Sequence, residues 1–282
     1  MGTLRNVKPK RLGKVPKPRQ PLGAQVEYLR ELRRVVAYAQ QLVIDRLFPR
    51  LADLLGQVQP RFDAKDPGKQ VNRVLDQISA AFFRRYDQER LSKIVRRTAE
   101  TVSAHNKKQL LGQLKKAIGI DLGDIAAQGL KPVIQAFTAE NVALIKTLPQ
   151  TMFDRIERQT LAAVRTGTRA KDLEQQIRSE AFGSTKTQTM RIARDQINKL
   201  NGDLNRVRQK QIGVEKYIWR TSGDERVRDV HAERDGETFS WSEPAGDPTD
   251  PGDGAFPGDA IQCRCWPEPV LSDLFDTSAF DE

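Results

Sequence analysis

The 282-residue chain carries a net charge of +10, with 30% charged, 38% apolar and only 6% aromatic residues, a balance that suits thin amphipathic helices better than a densely packed β-sandwich. Two cysteines exclude a disulfide-stapled scaffold, and no apolar run approaches the roughly 18–20 residues that cross a bilayer. The N-terminus lacks the apolar core of a secretory signal, so a reducing cytoplasm is the expected compartment.

Charge is divided along the chain. From Asp229 to Glu282 there are 14 acidic residues against Arg234 and Arg264, a net of −12, which leaves +22 in residues 1–228. A basic body of this kind fits a polyanion, or an acidic surface on a protein partner or a second copy. Residues 1–21 concentrate the effect. Arg5, Lys8, Lys10, Arg11, Lys14, Lys17 and Arg19 occur without an acid, and Pro9, Pro16, Pro18 and Pro21 deny the segment a helix. The expectation is a disordered basic arm that neutralises phosphates of double-stranded DNA without reading sequence, or one that orders on a protein. No aromatic interleaves with the cations, so base stacking is not supported.

Residues 22–183 read as a helical body. Leu29, Leu32, Val36, Ala39, Val43 and Leu47 lie on one face of a long helix that ends near Pro49 or Gly56. After a linker over 56–70, Val71, Leu75, Ile78 and Phe82 repeat the pattern, and Leu91 and Val95 continue it. Frequent glycines from Gly112 to Gly129 predict a second joint. Helix resumes over 138–166, broken or kinked at Pro149, and a short helix over 171–182 is expected to end at a left-handed Gly183 cap.

A module over 184–271 follows. Thr185 and Gln188 form a capping-box pattern, after which Met190, Ala193, Ile197, Leu200, Leu204 and Val207 make the seam of a helix closed by Gly213. Arg194, Asn198, Asn201 and Asn205 share another stripe, read as a solvated face. The short and long helices would also suit a helix-turn-helix, although the second is too long for a recognition helix. Val214 to Thr221 predicts a strand, Thr238 to Trp241 a second, and Ile261 to Val270 a third that carries both cysteines. The Pro- and Gly-rich loop over 242–259 is expected at the surface. Residues 272–282 form an acidic tail with Phe275 and Phe280. The fold class is therefore mainly α with a small C-terminal α+β module: long amphipathic helices followed by a short irregular antiparallel sheet.

His231, Cys263 and Cys265 are the one candidate chemistry. Two thiolates and an imidazole suit a zinc ion, with Asp229, Asp235, Asp259 or water as a fourth ligand. The same residues also fit a hydrogen-bonding histidine and two buried thiols packed as small hydrophobes. The alternative enzymatic reading is zinc-dependent deamination of nucleic-acid bases, in which Glu233 of His231-Ala232-Glu233 would shuttle the proton. Gln262 replaces the proline of that signature and only one residue separates the cysteines. No nucleophilic triad, phosphate-cradling loop or carboxylate pair stands out, so no small-molecule substrate is expected.

The C-terminal stretch resembles the phage Mu F-like family of head morphogenesis proteins, the minor head or minor capsid proteins. The carrying residues are Ala193-Arg194-Asp195-Gln196 and Asn198-Lys199-Leu200-Asn201, then Tyr217-Ile218-Trp219-Arg220-Thr221, Asp224, Arg228, His231, Gly236, Pro257-Gly258, Cys263-Arg264-Cys265 and Pro267. Gln262 stands where the family has Asn, and Ala260 where many relatives carry a second histidine. The resemblance implies a non-enzymatic virion component inside the head, near the portal, after assembly in the host cytoplasm. The portal protein is its implied partner, with major capsid or scaffolding protein and packaged DNA as further ones. Relatives carry toxin domains after this region, and none is expected in the few residues that follow Cys265. Trp219, Asp224, Arg228, His231, Gly236, Cys263, Arg264 and Cys265 would then hold the module's turns in place.

Overall fold

In a computed structural model, residues 9–10, 13–56, 67–119, 129–246, 250, 253–272 and 275 are described. Helix dominates, at 70%, with one small antiparallel sheet near the C-terminus, as the sequence class requires. The helices are α1 Leu22–Arg46, α2 Leu51–Gly56, α3 Pro67–Arg85, α4 Gln88–Ile118, α5 Lys131–Thr166, α6 Ala170–Gln176, α7 Gly183–Gln211 and the short α8 Asp229–Glu233. Strands β1 Lys216–Arg220, β2 Thr238–Ser240 and β3 Trp266–Pro269 form a sheet of order β2-β1-β3. Among the described residues, no helix is long and apolar enough to cross a membrane.

The chain divides into two compact units, Met1–Gln25 with Arg96–Phe137 and Arg194–Glu282, and Val26–Val95 with Thr138–Ala193. Their borders fall inside α1, α4, α5 and α7.

In the second unit the predicted seam of α1 is buried from Leu32 to Leu47, and Val71, Leu75, Ile78 and Phe82 of α3 are buried with it. Tyr38, Phe82 and Tyr86 cluster with ring centroids 5.4–6.3 Å apart, and the Arg85 guanidinium lies 4.7 Å above Tyr38. Two predicted breaks are absent. Pro149 lies inside α5, which is assigned without interruption, at the cost of the one hydrogen bond its missing N–H removes. Gly183 has φ −61°, in the right-handed region. A π-helical turn over Ile177–Phe182 carries the chain straight from α6 into α7, so there is neither a left-handed cap nor a helix-turn-helix. Thr185 is an interior helix residue whose hydroxyl donates to the Ala181 carbonyl (2.7 Å), and the expected capping box does not form.

In the first unit α4 continues through Gly112 to Ile118, so the second joint starts later than expected, at the left-handed Gly119. The later half of α4, the end of α7 and the sheet share an apolar core that includes Leu110, Leu114, Ile212, Tyr217, Trp219 and Trp241. Gly213, at φ +92°, ends α7 in a Schellman motif. Its amide bonds to Lys210 O at 3.0 Å and the Val214 amide to Gln209 O at 2.9 Å.

The N-terminal arm is described from Gly13 to Pro21 and at 9–10, and there it is not free. The Gly13 amide donates to Ala117 O (2.9 Å), the Gln113 side chain to Pro16 O, and the Arg19 amide to Gln109 Oε1 (3.2 Å), while Val15 enters the core. The disordered arm expected from composition is, over these residues, an extended strap along α4. Proline prevents regular structure, but the strap's backbone groups find side-chain and helix-end partners. Arg5, Lys8 and Arg11 lie outside the described residues.

Candidate functional site

The site is built on β1, whose alternation turns Tyr217 and Trp219 inward. Antiparallel pairing sets Tyr217 opposite both Phe239 and Pro269, and Trp219 opposite Pro267. Val270 N–H donates to Lys216 O at 3.1 Å, so the amides that face β1 belong to even-numbered positions. Pro267 and Pro269 therefore sit where the missing amide points off the sheet, which is why two prolines are tolerated in this edge strand.

The strand predicted over 261–270 starts only at Trp266, so both cysteines precede it. Gln262 has φ +60°, the one positive φ at a non-glycine among the described residues, and its amide donates to Asp195 Oδ1 on α7 (2.7 Å). Asn198 Nδ2 donates to Cys263 O (3.2 Å), Gln209 Nε2 to Pro267 O (3.1 Å), and Gly202 lets the Pro257–Gly258 backbone approach. A Cβ at Gly202 would stand 3.0 Å from Pro257 O. Asp195, Asn198, Gly202 and Gln209 thus form one helical stripe that holds the loop and the cysteine turn. The resemblance quoted Asp195 and Asn198 without assigning them a role; the 3–4 spacing of polar residues beside the apolar seam was the signal.

The neighbouring stripe is not solvated as expected. Asn198 and Asn205 are buried. Asn106 of α4 donates from Nδ2 to Asn201 Oδ1 (2.9 Å) and Asn205 Oδ1 (2.8 Å), and its own oxygen accepts from Arg208. Arg208 also reaches Ser103 O (3.0 Å) and Oγ (2.9 Å), and burial lowers its pKa to about 10. The later half of the 242–259 loop is likewise not at the surface, because Asp253, Pro257 and Gly258 are buried.

The family-motif residues converge here. His231, in the middle of α8, is 2% exposed and meets the Trp219 ring edge-on at a centroid distance of 5.2 Å. Its Nε2 bonds the Asp253 carbonyl. Arg234 donates from Nη2 to Asp253 Oδ2 (2.9 Å), its Nη1 lies 2.6 Å from Oδ1 as an ion pair, and the guanidinium lies 5.2 Å above Trp219. Arg264 bonds Asp224, which also accepts the Arg226 amide (3.1 Å). Those bonds outweigh desolvation and hold the Asp224 carboxyl below its ordinary range. Arg228 donates to Ile261 O (2.7 Å), and Gly236, at φ +92°, returns its amide to Trp219 O (2.9 Å).

Cys263 and Cys265, both free and buried, each place Sγ 3.6 Å from His231 Nδ1. The Cys265 thiol and the imidazole beside it hold Cys263 well below the usual thiol range against burial, while Cys263 and burial push Cys265 up. Burial pulls the imidazole down, but Cys263 and the Asp253 carbonyl raise it overall. The acids offered as a fourth ligand do not join this cluster. Asp235 accepts the Thr221 amide (2.7 Å), Asp259 the Phe256 amide (3.1 Å), and Asp229 stands exposed in the first turn of α8. Glu233 is exposed and outside the cluster. Of the candidate phosphate contacts, Lys10, Lys14, Lys17 and Arg19 are exposed, with Lys17 Nζ donating to Ser222 O (3.1 Å).

Residues 154–267 match the sequence profile of a family described as phage Mu protein F like protein. An uncharacterized protein of Haemophilus influenzae (strain ATCC 51907 / DSM 11121 / KW20 / Rd) is 36% identical over 170 residues. That stretch is 60% of this chain and 36% of the relative, so the chain spans little more than a third of that protein. No solved structure matches.

Proposed function

We propose, from the match of residues 154–267 to the phage Mu protein F-like family, that the chain is a phage head morphogenesis protein and a minor, non-enzymatic component of the virion. In this reading it is carried in few copies inside the head and associates with the portal during assembly, packaging or genome delivery. The observation that carries it is the position of the match. The matched residues include the whole of α7, with the polar stripe that fastens the cysteine turn, so the resemblance extends to the residues that build the module. The exposure of Glu233 supports the structural reading over the deaminase-like one, since a proton shuttle has to stand beside the metal-bound water.

The uneven charge supports a contact between the body and a polyanion, packaged DNA being the natural one, and the exposed cations of the strap are the residues proposed for it. Quantitative mass spectrometry of purified particles and immature heads from the encoding phage tests the proposal. The chain is expected at a few copies per particle, recovered with the portal after gentle disruption. Its absence from both kinds of particle, or a normal yield of filled infectious heads without the gene, would overturn the reading.

A further inference from the structure

We infer that His231, Cys263 and Cys265 form a binding site for a soft divalent cation of the zinc class, held by one imidazole nitrogen and two thiolates, with water or an external donor in the fourth position. The three donor atoms lie within 4.8 Å of one another and all three residues are buried; among the described residues this is the one cluster of its kind.

The geometry goes beyond proximity. With metal–nitrogen bonds of about 2.0–2.1 Å and metal–sulfur bonds of about 2.3 Å, a tetrahedral site has a nitrogen–sulfur edge of about 3.5 Å. Two such edges are present, each at 3.6 Å and both ending on the same Nδ1. A straight hydrogen bond explains only one of them, because Nδ1 has either one proton to donate or one lone pair with which to accept.

The tautomer is fixed from the far side of the ring. Nε2 faces a carbonyl oxygen, which can only accept, so Nε2 carries a proton, and Nδ1 is the nitrogen left to give its lone pair to a metal between it and the sulfurs. That carbonyl belongs to Asp253, whose side chain Arg234 holds by one hydrogen bond and one ion-pair contact, so the outer support of the imidazole is anchored in turn. The Cys263 sulfur has support of its own. The Cys265 amide points at Cys263 Sγ (3.4 Å). Two thiolates with an imidazole select zinc over magnesium or calcium, which require oxygen ligands. On loading, each S–H bond gives way to a sulfur–metal bond and its proton passes to buffer.

The test is made on the purified full chain, independently of particles, so its outcome leaves the head-protein reading separately testable. Protein prepared under reducing conditions is freed of loose metal by gel filtration and its metal content measured. About one zinc per chain is expected, falling to background in Cys263→Ser and Cys265→Ser. Should those variants fail to fold, judged by helical circular dichroism, wild-type protein stripped by chelator and reloaded with cobalt decides the matter. Sulfur-to-cobalt charge-transfer bands together with intense tetrahedral d–d bands support the site. Folded wild-type protein that retains no zinc and gives no such cobalt spectrum overturns it, as does zinc retained undiminished in folded serine variants.

Discussion

At the scale of single residues, Asp259 shows how the module's packing sets its chemistry. Burial raises its carboxyl to about 6, the Asp203 carboxylate adds to the rise, and Arg206 with the Phe256 amide opposes it. A carboxyl whose folded pKa exceeds the unfolded value of about 4 binds its proton more tightly in the folded state. The resulting stability is complete below about pH 4 and lost as the pH rises through about 6. Asp259→Asn is therefore expected to leave stability nearly unchanged near pH 4 and to raise it by about 2 kcal/mol at pH 7. Urea titrations at the two pH values check this, and a difference that does not grow with pH contradicts it. The convergence of His231 on the cysteines was legible as residue types in the sequence, whereas its geometry was not. It depends on a left-handed Gln262 and on a buried Asp253 carbonyl, and neither has a local pattern that announces it.

At the scale of elements, Gly183 and Asn106 separate what composition suggests from what packing decides. A glycine after a short helix reads as a left-handed stop, and the π turn over Ile177–Phe182 converts it into helix interior. With φ −61° and no atom within 4 Å of a Cβ placed there, Gly183→Ala is expected to stabilise the protein by about 0.5–1 kcal/mol. A left-handed cap would be destabilised by the same change, so the sign of the shift in thermal midpoint discriminates. Asn106 joins α4 to α7 through Asn201, Asn205 and Arg208. Truncation in Asn106→Ala leaves a buried guanidinium and two amides short of partners, at an expected cost of about 2–3 kcal/mol. A double-mutant cycle with Asn205→Ala should show coupling between the pair; additive losses would mean that the two side chains act separately. The apolar seams of α1 and α3 were legible because burial follows a 3.6-residue period there. The asparagine stripe was not, since polar residues on a helix face look the same whether they meet water or a polar partner helix.

On the scale of the whole molecule, the excess of cations in residues 1–228 sets the expected behaviour toward DNA. Lys10, Lys14 and Arg19 are exposed, so replacing them with Gln removes charge while leaving the strap's backbone bonds in place. Each engaged cation lost should reduce the slope of log affinity against log salt by about 0.9 on duplex DNA. An unchanged slope in filter-binding titrations would contradict a DNA contact through the strap.

The first compact unit is assembled from Met1–Gln25, Arg96–Phe137 and Arg194–Glu282, and Val15 shares a core with Leu271 and Phe275. On the ribosome this means that residues 1–25 wait for residues 194–282. The strap leaves the exit tunnel long before Gln113 and Ser222 exist to receive it, while Val26–Ala193 already contains every residue of the second unit. A product cut short before the Cys263–Cys265 turn therefore carries a complete second unit beside a first unit that lacks part of its core, including β3. Unfinished copies would expose the strap and the inner faces of α4 and α7, surfaces that cellular proteases and chaperones recognise. Only chains extended through the cysteine turn would then present the module formed by the sheet, α7 and that turn.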